Sequence, residues 1–294
     1  MSESPDNPPS PDSAFASHPR AWMRNRYVYP VLSRRSRGLS IGLNLNPDKV
    51  CNFDCIYCQV DRTLPATVRK VDVDVLRHEL DEMVGLAAGG RIFEQAPFAA
   101  AAASLRRIND IAFSGDGEPT ICPEFAECVR VAAEVKADHE LPDVKIVLIT
   151  DACYLARPAV REALALMDLH NGEIWAKLDA GTEEFFRKIN RPSHSLRHVL
   201  DNILDAARIR PVVIQSLWMQ LHGQPPPDLE VVAFADRLNE LAASGGQIKL
   251  VQLYTVARRA AEVYVSPLSP EQLDHLTAIV RSQTSLPVES FGAV

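Results

Sequence analysis

Residues 51–58 read Cys51-Asn52-Phe53-Asp54-Cys55-Ile56-Tyr57-Cys58 and carry three of the chain's six cysteines. Three residues separate the first pair and two the second. Thiolates at such short spacing hold zinc or iron–sulfur centres, because soft sulfur suits those metals and a short loop wraps one side of the site. A structural zinc site wants four closed ligands, and no fourth Cys or His stands near this loop in sequence. A cubane [4Fe–4S] cluster also has four corners, so three cysteines would leave one iron open to a small molecule. Structural zinc and plain electron transfer stay open beside that reading.

The bulk numbers narrow the rest. A chain of 294 residues, 47% apolar, fits one large domain or two small ones with a sizeable core. A net charge of −7 argues against a protein held to nucleic acid by overall charge, though a local basic patch is compatible with it. No apolar run is long enough to cross a bilayer, and the N-terminus lacks the pattern of a signal peptide. Close thiols without an export signal predict a cytoplasmic protein with no membrane partner. Residues 1–20, rich in Pro, Ser and Asp, read as a disordered tail. Six arginines and no acid follow between Arg20 and Arg37, either a solvated segment or a contact for phosphate or RNA.

From residue 39 onward, β-branched runs alternate with helical patterns, the signature of parallel α/β construction. The runs are Leu39 to Asn46, Asp110 to Ser114, Val144 to Thr150, Glu173 to Asp179, Val212 to Leu221 and Gln247 to Thr255. Helices are expected near 73–86, from 123, at 158–167, 182–189, 195–208, 228–243 and 270–282, with an Ala-rich helical insertion at 98–107. Six strand–helix units fall short of a closed (β/α)8 barrel but follow its logic, placing chemistry just past the strands' C-terminal ends. An open doubly wound sheet would need a glycine-rich phosphate loop at the first turn, where this chain has cysteines.

C-x3-C-x2-C with an aromatic before the last cysteine resembles the signature of the radical S-adenosylmethionine (SAM) superfamily. The resemblance implies an α/β fold, a partial (β/α)6 barrel of parallel strands, spanning a core domain over 21–294 with N- and C-terminal extensions. It also implies a [4Fe–4S] cluster on Cys51, Cys55 and Cys58, with SAM on the open iron and Tyr57 lining the adenine pocket. An electron from the cluster would cleave SAM and start hydrogen abstraction, with an electron donor such as flavodoxin or ferredoxin as partner.

Several groups should surround that centre. Gly115-Asp116-Gly117-Glu118-Pro119 follows the second run, where glycines allow close backbone approach and carbonyls with a carboxylate suit an ammonium group. This turn resembles the superfamily's "GGE" motif, which implies a grip on SAM's amino group. Asp116 is the member whose side chain could face solvent instead. Asp151 and Asp179, ending the third and fourth runs, could bond ribose hydroxyls or cap helices. Arg191 could clasp a carboxylate such as that of SAM or lie on the surface. Strand alternation puts Ile174, Ala176 and Leu178 on one face and Trp175, Lys177 and Asp179 on the other, which sends Lys177 into the barrel mouth. There it would bind a substrate carboxylate, form a Schiff base if burial lowered its pKa, or partner Asp179 or Glu118. Gln215 and Gln252 are expected in the lumen by similar placement. Cys122 and Cys153 could hold a second cluster or deliver a hydrogen atom, but free cysteines usually pack, as Cys128 should.

GLSIGLNLNPDKVCNFDCIYCQVDR, FSGDGEPT, LDAGTEEFFRKINRP and VQLYTVAR, spread over residues 37–260, are together similar to iron–sulfur oxidoreductases related to the wyosine-tRNA synthases. In that relative a pyruvate fragment is joined to a methylated guanosine of tRNA with a second cluster and a lysine. Here no cysteine precedes Cys51, and the net charge is acidic. The resemblance therefore carries radical initiation on an unidentified substrate, with wyosine-like tRNA modification as the alternative.

Overall fold

In the computed structural model, which describes residues 22–62, 66 and 68–292, the β-branched runs form strands in the expected order. The expected tail at 1–20, with Arg20, lies outside the described residues. Strand β1 (Val28–Ser33) turns back antiparallel onto β2 (Gly38–Leu43). From β2 the sheet is parallel through β3 (Ile108–Phe113), β4 (Lys145–Thr150), β5 (Gly172–Lys177), β6 (Val212–Leu221) and β7 (Ile248–Thr255). A short β8 (Val265–Pro267) pairs antiparallel with the end of β6, and β9 (Val288–Phe291) joins β7 in parallel. The sheet curls into a half-barrel whose inner face walls a cavity. The six expected strands are all present. Sequence reading missed β1, β8 and β9.

Helices α1 (Val73–Ala88), α2 (Phe125–Asp138), α3 (Pro158–Asp168), α4 (Glu183–Asn190), α5 (Leu196–Ile209), α6 (Asp228–Ala243) and α7 (Pro270–Gln283) connect the strands. Each begins or packs for a local reason. The Asp72 carboxylate caps α1 at the Val75 N–H, and Leu76, Leu80, Met83, Val84 and Ala87 recur on its buried face. Ser269 and Gln272 form a reciprocal capping box at the start of α7. No helix of the described residues is long and apolar enough to cross a membrane.

Alternation along the strands sorts the two faces. Ile174, Ala176 and Leu178 join the main core beneath the helices, whereas Trp175 faces inward with Ala112, Val147 and Val213. The Ala-rich stretch departs from expectation, forming single 3-10 turns at Phe98–Ala100 and Ala103–Leu105. Phe98 and Ala101 are its buried anchors, and Arg106 donates to the Ala101 and Ala99 carbonyls at 3.0 and 2.8 Å, a bond pattern that a continuing helix would have supplied from its backbone.

One buried carboxylate fixes the first strand to the first helix. Glu79 of α1 accepts the backbone N–H groups of Arg26, Tyr27 and Val28 at 2.7, 2.9 and 3.2 Å. Replacing Glu79 with Ala strands those donors, and we expect a loss of about 3 kcal/mol, read as a lower urea midpoint with an unchanged slope.

Candidate active site

The cysteine loop has few internal bonds, and neighbouring segments hold it. Phe53 and Ile56 are its buried anchors, with the Phe53 ring edge-on to Phe186 at 5.4 Å. Its backbone is sewn to the end of α4: the Asp54 N–H donates to the Asn190 carbonyl at 3.0 Å, and the Ile56 N–H to that of Ile189 at 2.9 Å. The Ser193 N–H reaches the Asn52 carbonyl, and the Glu262 N–H reaches that of Ile56, both at 3.0 Å.

Tyr57 supplies the deepest anchor. Its hydroxyl donates to the Asp179 carboxylate, which is 1% exposed. Asp179 also accepts the Asn190 amide at 3.0 Å, the Leu217 N–H at 2.8 Å and the Lys177 ammonium at 3.5 Å. The same Asn190 amide lies 3.4 Å from the Cys55 sulfur. Asp179 is not among the residues that wall the cavity, and Thr182, not Asp179, caps α4. The helix-cap expectation for Asp179 gives way, and the carboxylate is seen to fix Tyr57.

The glycine turn docks directly on the approach to the loop. The Glu118 N–H donates to the Val50 carbonyl at 3.1 Å, and Asn44 exchanges bonds with Asp116 through its amide at 2.8 Å and its oxygen at 3.1 Å. A Cβ on Gly117 would sit 1.9 Å from the Val50 oxygen, and one on Gly115 would sit 2.3 Å from the Asn44 oxygen. Close backbone approach therefore explains both glycines. The Glu118 carboxylate is filled by protein donors: the Thr120 N–H at 3.1 Å, the Thr120 and Thr150 hydroxyls at 2.5 and 2.7 Å, and the Asp151 N–H at 2.7 Å. Burial raises its pKa, and the nearby Asp151 carboxylate adds to that. Glu118 so ties the turn to the end of β4, leaving the turn's backbone to meet a ligand. Asp151 caps no helix; its carboxylate accepts from Asn52 at 3.2 Å and the Cys153 N–H at 2.9 Å, and it lies 4.0 Å from the Cys51 sulfur.

A cavity of about 320 Å³ opens beside these groups. Cys51, Cys58, Tyr57, Gly115, Asp116, Gly117, Glu118, Asp151 and Lys177 all wall it. Arg62, absent from the expected set, joins them and donates to the Phe53 carbonyl at 3.3 Å. Its guanidinium also lies 3.7 Å from the Asp54 carboxylate on the same loop. Its only sequence signal was position, four residues past Cys58. Burial, and then Asp151, pushes the Cys51 thiol to about 12, while burial against the opposing pull of Lys177 takes Cys55 to about 12. Both are thus thiols in the metal-free chain, and a metal must displace their protons.

The Lys177 ammonium lies over the Tyr57 ring at 5.1 Å and donates to the Tyr254 hydroxyl at 3.1 Å. Burial alone would lower its pKa, but Asp179 and Tyr254 outweigh burial and raise it. Of the roles expected of Lys177, the partner to Asp179 is the one this geometry shows. Gln215 walls the cavity, as expected, and donates to Gln252 at 3.0 Å, whereas Gln252 is buried behind it and not among the lining residues. Arg191 lies elsewhere: it ends α4 in the left-handed conformation (φ 43°) and pairs with Glu262 at 2.6 Å and Asp54 at 3.5 Å. Instead of a ligand carboxylate, it braces the outer side of the cysteine loop. Cys122, Cys128 and Cys153 are buried and do not wall the cavity. Among the described residues, no three His, Cys, Asp or Glu side chains are grouped as a single metal ion requires.

Three thiols on one loop at the rim of a parallel half-barrel define a class. The Radical SAM superfamily model matches residues 45–235, and the chain belongs to that superfamily. Iron–sulfur and SAM chemistry are general to that superfamily. More particularly, it is similar to a UPF0026 protein of Methanocaldococcus jannaschii, 31% identical over 180 residues, covering 60% of this chain and 46% of that one. A protein of Brachyspira hyodysenteriae described as GTPase Obg is 24% identical over 270 residues, covering 90% of this chain and 35% of its own length. The chain thus spans between about a third and a half of these two curated relatives. Among solved structures, TYW1 with a lysine-pyruvate adduct bound aligns at TM-score 0.54 and 15% identity, over 85% of this chain and 74% of that one. That likeness is one of fold.

The contact of Gly117 with Val50 carries a direct consequence. Substituting Gly117 with Ala should displace the approach to Cys51, so iron and sulfide bound per chain after anaerobic loading should fall by at least about half. Full loading of the variant would mean that the turn does not position the thiols.

Proposed function

We propose that Cys51, Cys55 and Cys58 hold a [4Fe–4S] cluster at the rim, with one iron left for SAM, and that a substrate in the half-barrel lumen loses a hydrogen atom. The observation that carries this is the placement of one three-thiol loop at the cavity edge while the other cysteines are buried off its wall. The donor set is three soft thiolates from one loop, which fits an iron–sulfur cluster that Cys51, Cys55 and Cys58 would hold. Bound there, the cluster would supply the single electron that cleaves SAM reductively.

This chain's own residues would do the rest. Tyr57, fixed by Asp179 and Asn190, holds its ring against the cavity beside Cys58. Carbonyls of the Gly115–Glu118 turn, held open by Glu118 beneath them, suit SAM's ammonium group. Asp151, on the wall beside Cys51, is the carboxylate placed to meet a ribose hydroxyl. Arg62 balances the thiolates' negative charge. The electron must come from a one-electron donor of the flavodoxin or ferredoxin kind.

Anaerobic loading with iron and sulfide, followed by dithionite and SAM, should yield 5′-deoxyadenosine and methionine. The Cys55→Ala variant should give background levels only. A wild-type protein that takes up zinc alone, or a full cluster without forming 5′-deoxyadenosine, would refute the proposal.

A further inference from the structure

The reversal between β1 and β2 carries cations that the radical chemistry does not use. It reads Arg34-Arg35-Ser36-Arg37, with Arg37 left-handed at φ 59°. Arg37 points outward and pairs with Glu289 at 3.2 Å. Arg34 and Arg35 instead wall the same cavity as Cys51 and Cys58.

The two inward arginines differ in what they touch. The Arg34 guanidinium donates to the Gly292 carbonyl. The Arg35 guanidinium has aromatic contacts only, among the described residues: it lies over the Tyr254 ring at 4.7 Å and near the Trp175 ring at 5.8 Å. A guanidinium carried on aromatic faces keeps the N–H donors along its planar edge for a ligand. Among the described residues no ion pair joins Arg35 to Asp110, Glu118 or Asp151, whose oxygens accept from Ser40, from Thr120 and Thr150, and from Asn52 and the Cys153 N–H. Burial, and after it the Arg35 charge, lowers the Arg34 pKa, as expected for neighbouring cations. Lys177 lies 5.6 Å from the same Tyr254 ring, but it has Asp179 as its counter-ion. Trp175, beside Arg35, packs with Ala112 and Val147 into an apolar strip of the same wall, with Ser40 and Asp110 also lining the cavity.

We propose that the lumen binds a small organic oxyanion, a carboxylate or a phosphate, with its charged head on Arg35 and its carbon body along the Ala112–Val147–Trp175 wall. This names the substrate class for the radical reaction above and rests on that reading. Arg35 acts as a substrate-binding residue, with Tyr254 and Trp175 holding its guanidinium in place. Within one cavity the anionic head sits at the hairpin end, and the rest of the molecule extends toward the cysteine rim.

Calorimetric titration of the cluster-loaded full chain, at fixed ionic strength, tests this with malonate and with inorganic phosphate as probes. Saturable binding of one or both is expected, and whichever binds more tightly assigns the head group. Arg35→Gln should weaken that binding by about tenfold or more, and Arg35→Lys, which keeps the charge without the fork, by less. Arg37→Gln, in the same turn but facing solvent, should bind as wild type. Near-UV circular dichroism reports whether Arg35→Gln folds; if it does not, Arg35→Lys carries the test. Wild type that binds neither probe, Arg35 variants that bind like wild type, or an equal loss in Arg37→Gln would each overturn the proposal. Anion binding through Arg35 in a protein that never forms 5′-deoxyadenosine would leave this site standing and sink the radical reading. The reverse pattern would sink this site alone.

Discussion

The Asp179 carboxylate, buried two residues past the end of β5, is the contact on which the site depends. It gathers the Tyr57 hydroxyl, the Asn190 amide, the Leu217 N–H and the Lys177 ammonium, and so joins the cysteine loop, the end of α4, β6 and the lumen at one point. Burying a carboxylate costs several kcal/mol unless charge and hydrogen bonds offset it, and here four donors do. An eight-residue loop cannot hold three thiols in place by its own bonds, so its precision is borrowed from this network.

The sheet makes such borrowing possible. In a parallel half-barrel the C-terminal strand ends converge on one rim, and alternate side chains line the lumen. The loop after β2, the turn after β3, Asp151 after β4 and Lys177 at the end of β5 therefore meet although up to 126 residues separate them (Cys51 to Lys177). Asn44 and Val50 clamp the glycine turn to the cysteine loop, while Glu118 clamps the same turn to β4.

Much of this was legible in the sequence, for identifiable reasons. Thiol spacing is a covalent property, and strand order and inward-facing residues follow from period-two alternation, which placed Lys177, Gln215 and Trp175 correctly in the lumen. What failed depended on partners remote in sequence. Asp179 read as a helix cap because nothing local reveals Tyr57, 122 residues earlier, as its donor. Arg191 left a ligand clasp and a surface position open, because Glu262 and Asp54 meet it only in the folded chain. β1 lay hidden in an arginine-rich segment, and its apolar run carries a Pro that weakens the strand signal. Arg35 and Arg37 look alike in sequence, and only the hairpin's reversal sends one inward and the other to solvent.

Three thiols from one loop, as proposed, leave a fourth iron free for SAM. Electron paramagnetic resonance of the anaerobically loaded, dithionite-reduced protein tests it most directly. A single [4Fe–4S]⁺ signal whose g-values shift when SAM is added is the predicted result. A cluster spectrum indifferent to SAM would contradict an open iron and, with it, the function assigned to this loop.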